Sequence, residues 1–174
     1  MKEEKKDLFS YLEDSDAICI TTNPHYSEDG IALMGGGCAG EAARRWEEVP
    51  KNLGLFLETV KLNIPYIIGS IDLNGNYIQP SRDIIKNNKY KCLIISFPTI
   101  HNLMNGADLD LIVESAKLLV ILSDKFNLKR IILPRPGAGI GGLDWYRQVK
   151  PVIADILDDR FIICCQDHDE FYED

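Results

Sequence analysis

Four runs of this chain are apolar nearly from end to end: "DAICITT" at 16–22, "KCLIISFP" at 91–98, "RIILP" at 130–134 and "RFIICC" at 160–165. Alternate residues of a strand point to opposite faces, so a strand that is apolar at successive positions must be covered on both sides. The covers lie between the runs. "NLGLFLETVKLN" sets Leu53, Phe56, Leu57 and Val60 on one helical face, and "DLDLIVESAKLLVILSDKF" repeats Leu109, Ile112, Ala116, Leu119 and Phe126 at helical spacing. A further helix is expected over 37–49, stopped by Pro50, and another around "PVIADIL". "YIIGSI" and "GNYIQP", separated by "DLNGN", read as a strand pair joined by a turn. These elements describe a three-layer α/β/α domain with a mixed sheet.

At 174 residues and 45% hydrophobic content, the chain forms one domain, with its core expected over about 7–165 and an acidic tail, "QDHDEFYED", at 166–174. Lys and Arg number 19 against 27 Asp and Glu, a formal net charge of -8 with no basic run. Duplex nucleic acid and anionic membranes are therefore not expected as partners, since clustered positive charge holds both. No signal peptide or spanning segment is read in the sequence, and a cytoplasmic location is expected. Five cysteines at irregular spacing, with three histidines, are read as reduced, mostly buried thiols, and no metal site or cofactor is expected.

Between a strand and a helix lies "PRPGAGIGGLDW", with glycine at 137, 139, 141 and 142. A second junction of the same kind runs from the strand at 16–22 through Gly35, Gly36 and Gly37 into the helix that starts near Cys38. Ligands of such sheets bind beyond the carboxyl ends of the strands, where helix N-termini present unpaired N–H groups. Two glycine-rich approaches point to a diphosphate gripped from both sides; the alternative for each is a tight turn. Neither loop is a Walker A motif, and the GxGxxG spacing of Gly137, Gly139 and Gly142 lacks its place at the start of a βαβ unit.

Taken together, "ITTN", "MGGGCAGEAARR", "SFPT", "LPRPGAGIGGLDW" and "VKP" resemble the macro domain family, and within it a phage and bacterial branch described as ADP-ribose-1″-phosphate phosphatase-like. The resemblance runs from about Asp7 to about Cys164 and implies a central mixed sheet of about six strands with a cleft for ADP-ribose at its crest. It implies that Asp7 accepts from the adenine amino group, with Asp14 or Asp16 as rivals, and that the Leu8 backbone N–H meets the ring. Gly35, Gly36, Gly37, Cys38 and Ala39 would wrap the distal ribose and part of the diphosphate, and Gly137, Ala138, Gly139, Ile140, Gly141 and Gly142 would close over the phosphates. Asn23 falls where the family places an asparagine on the distal ribose, or else is a turn residue before Pro24.

The connection "PHYSEDGIAL" is longer than in many ADP-ribosyl-protein hydrolases of the family, and no acidic catalytic residue carries over from them. Cys38 is either an acidified thiol at a helix start or a small buried side chain. For catalysis, His25 is the first choice as general acid or base; Asp144 either orients water or caps a helix turn, and Asn23 completes the set. Trp145 either walls the cleft or fills the core, while His101 and Arg135 rank behind these. The expected activity is removal of the 1″-phosphate from ADP-ribose-1″-phosphate. The alternatives are a non-catalytic reader of free or protein-bound ADP-ribose and a hydrolase of ADP-ribosyl-protein esters. Because no metal constellation is visible, phosphate release from ADP-ribose-1″-phosphate is expected to proceed unchanged in excess EDTA, and its loss in the chelator would refute the metal-free reading.

Overall fold

The computed structural model describes residues 1–165; the acidic tail lies outside the described residues. Seven strands form one sheet: β1 (Lys2–Lys5), β2 (Ala17–Thr22), β3 (Tyr66–Ile71), β4 (Tyr77–Ile78), β5 (Cys92–Pro98), β6 (Ile131–Pro134) and β7 (Phe161–Cys165). Their order is β1-β7-β6-β2-β5-β3-β4, parallel from β1 to β5 and antiparallel across β5-β3-β4. The helices are α1 (Gly37–Arg45), α2 (Glu48–Val60), α3 (Arg82–Lys86), α4 (Leu109–Lys125) and α5 (Lys150–Ile153). The three-layer α/β/α class and mixed sheet agree with the sequence.

Alternation along β2 shows how the layers are separated. Ile18 and Ile20 join one core with Leu53, Phe56 and Leu57 of α2, and Ala17 and Cys19 join the other with Ile112, Ala116 and Leu119 of α4. All four β2 residues are fully buried, which is what a strand apolar at every position requires.

Four expectations change. The sheet has a strand more than expected, because the charged stretch before Asp7 pairs with β7, from Lys2 beside Ile162 to Lys5 beside Cys165. An edge strand tolerates charge on both faces, and Glu4 accepts a 2.6 Å hydrogen bond from the Tyr11 hydroxyl. Pro50 does not stop a helix; α1 ends at Arg45, and Pro50 sits in the first turn of α2, where its missing N–H costs nothing. The segment after the second glycine loop is a π-helical turn, Trp145–Val149, running into the four-residue α5. Val60, assigned to the buried face of α2, is 45% exposed.

Helix α2 lies directly on the connection between β2 and α1. A Cβ at Gly54 would fall 1.9 Å from the Gly30 carbonyl oxygen and 2.8 Å from the Ala32 nitrogen, both backbone atoms that cannot rotate away. Ala32 also donates to the Pro50 carbonyl at 3.0 Å. Gly54→Ala is therefore expected to destabilise the fold by about 2–3 kcal/mol, a drop in Tm of roughly 4–10 °C by calorimetry.

Candidate functional site

A cleft of about 800 Å³ opens at the carboxyl ends of β2, β6 and β7 and over the turn that follows β5. It is lined by Thr21 and Thr22 of β2, by Thr99 just after β5, by Pro134 and by Cys164 and Cys165. The two glycine loops form facing walls.

The first wall is the approach to α1. Gly36 is the N-cap and offers no side chain, and the first turn holds no acid, so Gly37, Cys38 and Ala39 present their end of the helix to the cleft without an internal competitor. By contrast, Ser81 caps α3 and Asp108 caps α4 through their side chains. The loop folds back onto the helix at Gly40, where a Cβ would stand 2.9 Å from the Gly35 carbonyl oxygen. A Cβ at Gly35 itself would meet nothing within 4 Å.

The second wall shows why "PGAGIGG" carries so many glycines. Gly137 has a φ of +75°, and any side chain there would strike Ile112, Ala107 and Leu143. Gly141 touches bare backbone: its Cβ would lie 2.7 Å from the Gly137 oxygen, and its own carbonyl accepts from Ala107 at 2.9 Å. Gly139 faces open space. Between them Ile140, 82% exposed, reaches across to the first wall, its Cδ1 only 2.8 Å from where a Gly36 Cβ would be.

Asp7 lines one side, together with Leu8 and Phe9. Its Oδ1 accepts from the Phe9 and Ser10 amides at 2.9 and 3.2 Å, which caps a 3-10 turn over Leu8–Glu13 and fixes the carboxylate at the mouth. The two rival acids lie elsewhere. Asp16 accepts from the Lys129 and Arg130 amides at the opposite end of β2, and Asp14 faces Lys6 and Arg130. Asn23 lines the cleft and ties down its loop, donating to the Leu33 carbonyl at 2.8 Å and accepting from the His25 amide at 2.9 Å.

Thirteen of the proposed residues thus share one cavity: Asp7, Leu8, Asn23, the segment 35–39 and the segment 137–141. Four do not. His25 is absent from the lining, and its Nε2 is buried without a hydrogen-bond partner among the described residues. Asp144 caps the π-helical turn by accepting from the Arg147 amide at 2.8 Å. Trp145 is 4% exposed and donates from its indole to Glu3 at 2.8 Å, so it belongs to the core and not to the ligand wall. Gly142 has a φ of +78° and serves the turn behind the wall. His101 is exposed outside the cleft.

Sequence reasoning missed Arg44, Lys6 and Glu41 and ranked Arg135 low, yet all four line the cavity. Arg44 lies one turn beyond Gly40 on α1, a helical spacing that would have placed it near the glycine triplet. Arg135 is held by Glu3 at 3.6 Å and the Tyr146 hydroxyl at 2.9 Å, and its guanidinium stacks over both Trp145 and Tyr146. Among the described residues, no three His, Cys, Asp or Glu are placed to hold a metal ion.

The five cysteines are free thiols. Burial pushes the Cys38 thiol above its ordinary value despite a 3.2 Å hydrogen bond with Thr21, and burial pushes Cys164 up to about 12. Being at a helix start does not acidify Cys38, because the side chain is turned into protein. Cys38 is therefore a neutral thiol at physiological pH. Iodoacetamide at pH 7.5 is expected to label it at least about tenfold more slowly than a free cysteine, with Cys38→Ala as the control that assigns the peptide.

No protein-family model matches the chain, and no curated protein matches it either. Solved structures do. The macrodomain of Mycobacterium tuberculosis DarG superposes with a TM-score of 0.68 at 22% identity, covering 94% of this chain and 95% of that one. The macrodomain of Thermus aquaticus DarG gives 0.68 at 22% identity, covering 95% and 97%. Thermosipho africanus DarTG, solved in complex with ADP-ribose, gives 0.67 at 20% identity over 91% of this chain and 39% of that longer one. With its mixed sheet, its covered faces and its crest cleft, the chain has the macrodomain fold.

Proposed function

We propose that the cleft binds ADP-ribose and that the chain removes the 1″-phosphate from ADP-ribose-1″-phosphate. One observation carries the binding: the uncapped first turn of α1 faces a second wall of bare backbone across an 800 Å³ cavity. Backbone N–H groups bind phosphate without side-chain charge, which suits a chain of net charge -8. Asp7 then takes the adenine amino group with the Leu8 backbone against the ring, Asn23 the distal ribose, and 137–141 the phosphates. Support comes from the shared fold with DarTG, whose structure holds ADP-ribose.

Hydrolysis of the phosphate ester needs a water that bonds to phosphorus as the bond to the sugar oxygen breaks, donors on the phosphoryl oxygens, which the two loops supply, and a proton for the departing sugar oxygen. We assign that proton to His25, whose backbone amide is held by the lining residue Asn23; its ring stands outside the lining and must turn inward to reach the departing oxygen. A second reading, binding of ADP-ribose free or on protein without turnover, is favoured by one feature. Among the described lining residues there is no histidine, and burial raises the Cys38 and Cys164 thiols.

Gly35 and Gly139 offer a test that leaves the fold alone, since a Cβ at either stands in open space. In calorimetric titrations, wild type is expected to prefer ADP-ribose over AMP and ATP, and Gly35→Val and Gly139→Val to weaken it at least about tenfold. Their Tm should stay within about 2 °C of wild type. Failure of wild type to bind ADP-ribose would refute the assignment of the cleft. Phosphate release that His25→Ala abolishes while binding persists supports the phosphatase; binding with no release by wild type supports the reader.

A further inference from the structure

A second cavity, of about 740 Å³, opens at the other end of the sheet, beneath the starts of β2 and β5 and beside the C-terminal ends of α3 and α4. The six-residue β2 separates it from the cleft by roughly 20 Å. Its chemistry is opposite to that of the molecule as a whole. Arg82, Lys86, Lys125 and Lys129 surround it, all exposed, and none has a carboxylate partner among the described residues.

The acids beside them are already engaged, Asp16 within the lining itself and the others around it. Asp16 accepts from the Lys129 and Arg130 amides, Glu13 pairs with Lys91, Asp83 with Lys89 and Asp124 with Arg160. Lys86 and Lys125 sit in the last turns of α3 and α4, where a cation offsets the helix dipole. That accounts for two of the four. Arg82 opens α3 and Lys129 lies beyond α4, so neither serves a helix C-terminus, and both nevertheless converge on the same space.

Two half-buried rings, Tyr90 and Phe126, complete the lining. Cations without carboxylate partners beside two rings, Lys125 with its ammonium 5.5 Å from the Phe126 centroid, in an open cavity of several hundred cubic ångströms, match a ligand that carries both phosphate and a flat ring. We propose that this cavity is a second binding site, for a nucleoside phosphate held either free or as a unit of a single strand. An acidic peptide would meet the charges but leave the two rings unused. The inference stands apart from the role of the cleft.

Binding is tested on the full chain by calorimetry with thymidine diphosphate and by fluorescence anisotropy with a dye-labelled thymidine octanucleotide. Saturating ADP-ribose is added throughout, so that the cleft does not compete. The expected result is binding of one or both probes; uptake of the diphosphate identifies a free nucleotide, and uptake of the octamer alone identifies a strand. Octamer affinity should fall roughly tenfold between about 50 and 200 mM salt. The variant Lys86→Gln/Lys125→Gln/Lys129→Gln removes three exposed cations without adding opposite charge at the two helix ends, and should weaken binding at least about tenfold while the protein stays folded by circular dichroism. Tyr90→Leu keeps the apolar packing, removes the ring and should weaken binding several-fold. The proposal is overturned if neither probe binds at low salt, if the triple variant binds as well as wild type, or if polyglutamate displaces the probes at equal charge concentration.

Discussion

The pairing of β2 with β5 on one side and β6 on the other is the constraint from which the rest of the molecule follows. Both pairings are parallel, with Ile18 beside Ile94 and Ile132. A parallel strand in the middle of a sheet must leave at one end and be re-entered from the other, so the chain segments following β2, β5 and β6 all emerge on the same side. The cleft is the space they enclose. Burial of Ile18, Cys19 and Ile20 on both faces holds β2 in place and makes a slip of register prohibitive, since it would exchange the two cores.

Within the cleft, the recognition we propose rests on backbone more than on side chains. The first turn of α1 has no cap, Gly35 and Gly139 face open space, and Gly141 lets the second loop close against Ala107. This arrangement places partial positive charge where a phosphate can reach it while the protein keeps a net charge of -8. It also exposes no reactive thiol: Cys38 stands at the helix start, but its sulfur is shared with Thr21 and desolvated. Thus the helix terminus is open to a ligand and presents no thiolate nucleophile.

The N-terminal stretch ties these features to the outer rim. Glu3 on β1 receives the Trp145 indole and Lys150 and faces Arg135, so a strand at the sheet edge orients the guanidinium that lines the cleft. Asp7, two residues past β1, is set by its cap and lines the same cleft. One short charged strand therefore positions two groups of the site.

Much of this was legible in the residues themselves. Runs apolar at successive positions announce a doubly covered sheet, and glycines grouped between strand and helix mark the two walls, because both are local consequences of side-chain period and backbone freedom. What could not be read locally was decided by partners far away in sequence. Trp145 is drawn into the core by a glutamate 142 positions earlier, and β1 becomes a strand only because the edge of β7 is open to it. Asp14 and Asp16 are chemically equal to Asp7 as adenine acceptors, and only the path of β2 carries them away from the cleft. The amino-acid order determined which segments are strands, helices and bare loops; the tertiary structure alone decided which side chains face the cavity, since direction depends on contacts that no local pattern encodes.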